Sequence, residues 1–203
     1  MKILKLSTGI TGENTYVLSS DGVNAIVIDP GDDEELILSQ LKENSLQCKA
    51  VLLTHAHFDH CNSAQALKGH GATIYMHKKD EQLVYSVYNL AHKFGRPFNS
   101  FTPDVFLKNG QNLEICNINV TVLHTPGHTA GSCCYIINNV IFSGDTLFNL
   151  SIGRTDFPTG NASHMKKSLK TLFSLDKDYT VFPGHGPSTK LYYERENNPY
   201  ARI

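Results

Sequence analysis

The stretch that most constrains this chain is Thr54-His55-Ala56-His57-Phe58-Asp59-His60, which directly follows the apolar run Ala50-Val51-Leu52-Leu53. Imidazole and carboxylate are the donors that zinc and similar divalent ions prefer, and several must converge on one point about 2 Å from the metal. The spacing permits this. A strand ending at Leu53, followed by a helix starting at Asp59 or His60, sends His55 and His57 the same way out of an extended segment. Asp59 and His60 then occupy the first helical turn.

Three further pieces follow. Thr125-Pro126-Gly127-His128-Thr129 and Gly184-His185-Gly186 each carry a single histidine in a glycine-flanked turn after an apolar segment. Between them, Ser143-Gly144-Asp145-Thr146 places an acid at the end of the apolar strand Val140-Ile141-Phe142. In this order the pieces point to one metal site gathered from distant parts of the chain. The set resembles the metallo-β-lactamase-fold hydrolases, whose signature is His-x-His-x-Asp-His followed by a His, an Asp and a final His. The resemblance implies that His55, His57 and His128 hold one metal, that Asp59, His60 and His185 hold a second, and that Asp145 bridges the two. It also implies two divalent ions, zinc foremost with iron or manganese open, and an α/β fold built as a four-layer αββα sandwich. Asp29, ending the strand Ala25–Ile28, matches an acid that supports the family's metal loop from behind; an ordinary turn acid is the other reading.

A chain of 203 residues fits one domain, residues 1–203, with a substantial core. Its 18 basic and 19 acidic residues leave a net charge of −1 with no basic run, so nucleic acid is not an expected partner. The chain has no apolar run of about 18 residues, so no membrane partner is expected, and Met1–Leu6 is too short and charged for a secretory leader. A cytoplasmic address is expected. Five cysteines without paired metal spacing (Cys48, Cys61, Cys116, Cys133, Cys134) read as reduced thiols, with Cys61 a bystander beside His60.

Taken in order, the chain predicts strands at residues 1–6 and 13–18, a turn at Ser20-Asp21-Gly22, a strand at 25–28 and a helix behind the acids of residues 32–35. A strand at 50–53, a short helix at 62–68 and a strand at 71–76 complete an alternation that argues for parallel pairing. Residues 78–94 read as one loosely amphipathic helix. The irregular segment 95–102, with Phe98 and Phe101, is either a substrate wall or a plain connection. Strands at 105–107, 113–115, 120–123, 133–137 and 140–142 read as a meander, followed by a helix at 163–173 and a final strand at 180–182. His70, His77, His92 and His164 lack partners at ligand spacing and read as surface or capping residues. His124 is either part of the wall behind the site or a satisfied core histidine.

The expected reaction is hydrolysis, in which a hydroxide between two metals attacks a carbonyl carbon while Asp59 orients it and relays its proton. Gly153-Arg154-Thr155-Asp156-Phe157, Gly184–Thr189 and the closing Glu194, Asn198 and Pro199 resemble short bacterial hydrolases grouped with glyoxalase II, which cleave thioesters such as S-lactoylglutathione. By that resemblance Arg154 contacts the substrate's glutathione part; pairing with Asp156 is the alternative. Two departures stand out: Asp156 replaces an expected Tyr, and the sequence ends at Ile203 without the C-terminal helical domain of longer glyoxalase II enzymes. A small-molecule thioester is therefore the expected partner, its thiol left open. Persulfide dioxygenase, which shares the fold and uses one iron at positions matching His55, His128 and Asp145, is the rival. A non-catalytic metal-binding protein fits less well, because no ligand is missing.

Overall fold

Runs of consecutive apolar residues such as Ala25–Ile28, Ala50–Leu53 and Val140–Phe142 must be covered on both faces when they pair as strands, and they lie within two six-stranded sheets. In the computed structural model, which describes residues 1–202, β1 (Lys2–Thr8), β2 (Glu13–Ser19), β3 (Asn24–Ile28), β4 (Gln47–Leu52), β5 (Thr73–His77) and β6 (Val105–Leu107) form one sheet in that order. The second sheet runs β12 (Thr189–Lys190), β11 (Thr180–Pro183), β10 (Val140–Gly144), β9 (Cys133–Ile137), β8 (Ile118–His124) and β7 (Asn112–Ile115). β3, β4, β5 and β6 pair in parallel, as do β10 and β11; the other pairings are antiparallel.

The alternation along each strand sorts the layers. Tyr16, Leu18, Ile26, Ile28, Ala50 and Leu52 face Val120, Val122, Tyr135 and Phe142 of the other sheet and form the central core. Val17, Val27 and Val51 point outward, where Ile37 and Leu41 of α1 (Glu34–Glu43) and Leu67 of α3 (Ala64–Gly69) cover them. Across the molecule Ile141 and Val181 pack beneath Met165, Leu169 and Leu172 of α5 (Ala162–Phe173) and Leu191 of α6 (Leu191–Asn197). The result is the four-layer αββα sandwich. No helix among the described residues is long and apolar enough to cross a membrane.

Three expectations are corrected. Residues 78–94 are not one helix: α4 (Glu81–Val84) is a single turn, followed by two 3₁₀ turns separated by Leu90 at φ 72°. A continuous helix would bury too little there, since Tyr85, Val87, Tyr88 and Phe94 all face solvent. Residues 105–107 do not open the meander but join β5 in the first sheet, and the chain changes sheets only afterwards. The strand expected at 180–182 is not the final strand: it runs Thr180–Pro183, and β12 follows it before α6. Glu194, fully buried on α6, accepts hydrogen bonds from Thr189 Oγ1 (2.6 Å), Asn198 Nδ2 (2.7 Å) and Leu150 N (2.9 Å), which ties this end of the chain to the loop after β10.

Candidate metal centre

Each predicted ligand follows the carboxyl end of a strand, the side on which open α/β sheets commonly bind ligands. His55 and His57 follow β4, and Asp59 and His60 sit on the one-turn helix α2 (Phe58–Cys61). His128 follows β8, Asp145 directly follows β10 and His185 follows β11. Cross-sheet hydrogen bonds hold these ends in register: Asn14 Nδ2 and Tyr16 Oη donate to the Pro183 carbonyl (2.9 and 2.7 Å), and Cys133 N donates to the Thr54 carbonyl (2.8 Å). Gly184 is required for the approach, because a Cβ there would collide with Asp145 Oδ1 and lie 2.6 Å from the His60 ring.

Three donor groups result, each with ligand atoms within 4.8 Å of one another: a cluster of His55, His57 and His128, a cluster of Asp59, His60 and His185, and Asp29 with His55 and His60, in which Asp29 supports the two rings from behind. Asp145 spans the two clusters. Its Oδ1 is 3.4 Å from His60 Nε2, and its Oδ2 is 3.4 Å from His128 Nε2 and 3.8 Å from His185 Nε2. His55 Nε2, His57 Nε2, His60 Nε2 and Asp145 Oδ1 are buried without any hydrogen-bond partner. Orphans of this kind are costly unless a cation satisfies them, and His57 turns its other nitrogen, Nδ1, to within 2.9 Å of His128 Nε2, so the residues fit divalent ions.

The outer nitrogens explain why those lone pairs face inward. His60 Nδ1 donates to Asp29 Oδ2 (3.0 Å), and His128 Nδ1 donates to the Arg154 carbonyl (2.8 Å). Thr54 Oγ1 donates to Asp29 Oδ2 (2.6 Å) and so can accept from His55 Nδ1 (3.1 Å). One carboxylate thus orients two imidazoles, as metal-ligating histidines commonly require. Asp29 achieves this from φ 49°, a left-handed conformation that Asp tolerates better than most residues. Burial, with further pressure from neighbouring imidazoles, pushes His57 down to about 3 and His55 well below its usual range, which keeps both rings neutral and able to ligate.

Two acids missed in the sequence complete the support. Asp80, buried, accepts from Thr129 Oγ1 (2.7 Å), Gly131 N (2.6 Å) and Ala56 N (3.2 Å). It thereby joins the His55–His57 loop to the His128 loop, and burial raises it to about 6. Glu13, also buried, takes a hydrogen bond from Thr8 Oγ1 (2.7 Å) and points Oε1 toward His60 Nδ1 at 3.6 Å. Lone acids at such positions carry no sequence signal of their own; the loops they brace are distant in sequence.

The centre opens into a cavity of about 360 Å³. Its apolar walls are Phe58, Leu90, Phe94, Phe148, Ile152 and Phe157; of the two readings of residues 95–102 the plain connection holds for Phe98 and Phe101, neither of which lines this cavity, and Phe101 is in the core. Arg154 lines this cavity, with Nε and Nη2 forked onto Asp156 (2.7 and 2.6 Å) and Cζ 3.9 Å from the Phe157 ring centre. Cys61 is buried and donates to the His57 carbonyl (3.1 Å), so it packs rather than reacts. His124 is half-buried away from the centre, stacked on His77 at 4.0 Å.

A family model described as the metallo-beta-lactamase superfamily matches residues 8–185. The chain belongs to this superfamily. It is 38% identical over 195 residues to the hydroxyacylglutathione hydrolase GloC of Haemophilus influenzae, covering 93% of this chain and 92% of that one. Among solved structures it is similar to the BLEG-1 B3 metallo-beta-lactamase (35% identity, all of both chains, TM-score 0.93) and to TTHA1623 in a di-iron-bound form (34%, 97% and 99% covered, TM-score 0.88). ETHE1 from Myxococcus xanthus is also similar (28%, 99% and 85% covered, TM-score 0.83).

Proposed function

We propose that this protein is a metal-dependent thioesterase of glyoxalase II type, cleaving S-lactoylglutathione or a related acyl-thiol. The observation that carries the reading is the pair of donor clusters spanned by Asp145, with none of the seven positions vacated; the likeness to GloC supports the substrate class. His55, His57 and His128 would hold one ion, Asp59, His60 and His185 the other, and Asp145 would reach both. Zinc is the foremost candidate, with iron or manganese as alternatives. When bound, such ions lower the pKa of coordinated water to about 7 and polarise a carbonyl.

The chain's own groups do the rest. Asp59 lies beside His185 (3.5 Å) and lines the cavity, where its carboxylate can take the proton of an attacking water. A C–O bond forms, the C–S bond breaks, and a carboxylic acid and a thiol leave. Asp29 keeps His55 and His60 aimed during this, and Arg154 contributes to the wall on which the substrate rests.

The second reading is a mononuclear iron persulfide dioxygenase, favoured by the similarity to ETHE1 and served by His55, His128 and Asp145 alone. The intact Asp59, His60 and His185 cluster supports the hydrolase instead. The test is free-thiol release from S-lactoylglutathione by zinc-, iron- and manganese-loaded protein, run beside oxygen uptake on glutathione persulfide and cleavage of a chromogenic β-lactam. Thiol release without oxygen uptake is expected. Oxygen uptake as the dominant activity, or lactam cleavage without thioester cleavage, overturns the reading.

A further inference from the structure

The walls of the cavity are at odds with a thiol gripped by its charges. Apart from the metal-facing residues, its lining is apolar except for Thr11 and Arg154. The Arg154 charge is already matched by the two-pronged Asp156 contact, and its flat face lies on Phe157. Lys93, with Nζ 5.1 Å from the same ring, adds one cation at the mouth. Arg154, Lys93 and Asp156 together therefore leave one net positive charge. Glutathione presents two carboxylates and an ammonium, and among the described residues the other acids lining the cavity are Asp59, of the second cluster, and Asp145, which spans the two.

The apolar side of the cavity, by contrast, is built at a cost. Leu90 sits at φ 72°, a conformation that bulky side chains seldom adopt, and it lies between two 3₁₀ turns with Asn89 Oδ1 accepting from Ala91 N (3.0 Å). Strained backbone of this kind persists where surrounding structure holds it and commonly marks a functional position. Here it sets Leu90 into the cavity against buried Phe58, with Phe94 standing 43% exposed at the rim beside the Phe58 ring (5.3 Å). A large apolar side chain left open to solvent at a cavity mouth is covered when an apolar ligand arrives.

We propose that the substrate class is a thioester bearing an apolar, ring-sized group against the Phe58, Leu90 and Phe94 wall, with a thiol not held through its carboxylates. This rests on the hydrolase reading of the same centre and names what that centre selects.

The test uses the metal-loaded full chain and four thioesters: S-phenylacetyl- and S-acetyl-N-acetylcysteamine, benzyl thioacetate and S-lactoylglutathione. kcat/KM for thiol release is expected to be at least about tenfold higher for the phenylacetyl or the benzyl ester than for both others, the better of the two telling which side of the scissile bond meets the wall. Phe94→Ala is expected to reduce that preference by about tenfold. Preference for S-lactoylglutathione, with a tenfold rise in its KM in Arg154→Gln, overturns the proposal. Binding of the uncleavable thioether S-benzyl-N-acetylcysteamine, followed by calorimetry, separates the two levels. If no thioester is cleaved but the thioether binds and Phe94→Ala abolishes binding, the apolar site stands and the hydrolase reading falls. If neither cleavage nor binding occurs, both fall.

Discussion

The two donor clusters are built to different standards. His55, His57 and His128 are each at most 2% exposed, and their loops are braced by Thr54 and Asp29, by Asp80 and by the Arg154 carbonyl. On the other side only His60 is comparably enclosed. The His185 side chain is 28% exposed and that of Asp59 14%, and their mutual contact is a loose 3.5 Å. Ligands held before the metal arrives bind it more tightly, since less freedom is lost on binding. The first cluster should therefore keep its ion when the second releases its own.

Asp145 faces both halves from inside the site, whereas Asp29 supports them from behind, so the loss of Asp145 has the largest effect. Asp145→Asn is expected to lower turnover by more than about a hundredfold, beyond what losing a supporting partner produces, and to weaken both metal equivalents in chelator competition. Near-normal activity would break the bridging assignment. His185→Gln comes next and separates the halves: metal analysis after dialysis against a mild chelator should fall from two equivalents to one. Loss of both ions together would mean the clusters are not graded as their exposure indicates.

Asp80→Ala probes the tighter half from behind. It leaves Ala56 N, Gly131 N and Thr129 Oγ1 without their shared acceptor, at about 1–3 kcal/mol for each group that water does not reach. First-equivalent affinity should fall about ten- to a hundredfold with the second less affected, and Asp80→Asn, which retains one acceptor oxygen, should recover part of the loss. Equal weakening of both ions would show Asp80 to be a general structural brace.

The same contrast separates what could be read in the sequence from what could not. His55, His57, Asp59 and His60 were legible because a strand, a loop and one helical turn bring them together within six residues. His128, Asp145 and His185 were legible through their place after apolar strands. Asp80 and Glu13 were not, since each acts through hydrogen bonds to loops that only folding brings near. The role of Arg154 in aiming His128 is played by a backbone carbonyl, which no residue identity reveals. Leu90 at positive φ broke a segment whose apolar spacing read as helix. The three residues of β6 carried no mark of which sheet they would join.

A second imidazole pair supplies the control for the tight cluster. His77 and His124 stack at 4.0 Å with planes 6° apart, yet among the described residues no third donor joins them, so their neutrality needs no ligation to explain it. Partial burial, the facing His124 ring and Lys79 push His77 down to about 4, from 6.5 when free. Below pH 6.5 the unfolded chain gains a proton that the folded chain refuses until about pH 4, so this contribution to stability is present above 6.5 and is lost as pH falls across that window. Protonation would also remove the Nδ1 lone pair that accepts from Lys79 N at 3.3 Å. In His77→Gln this acid sensitivity is absent. The melting temperature of wild type minus variant should therefore shrink by a few degrees between pH 7 and 4.5, about what 1 kcal/mol moves a domain of this size, the effect on this half-exposed ring being reduced by solvent screening. The titrating histidines of the metal centre are common to both proteins and cancel in the difference. Metal stoichiometry should not change; a loss of bound ion in His77→Gln would mean that stacked imidazoles outside the cavity lining are coupled to the centre, and the distinction between the two kinds of histidine pair would fail.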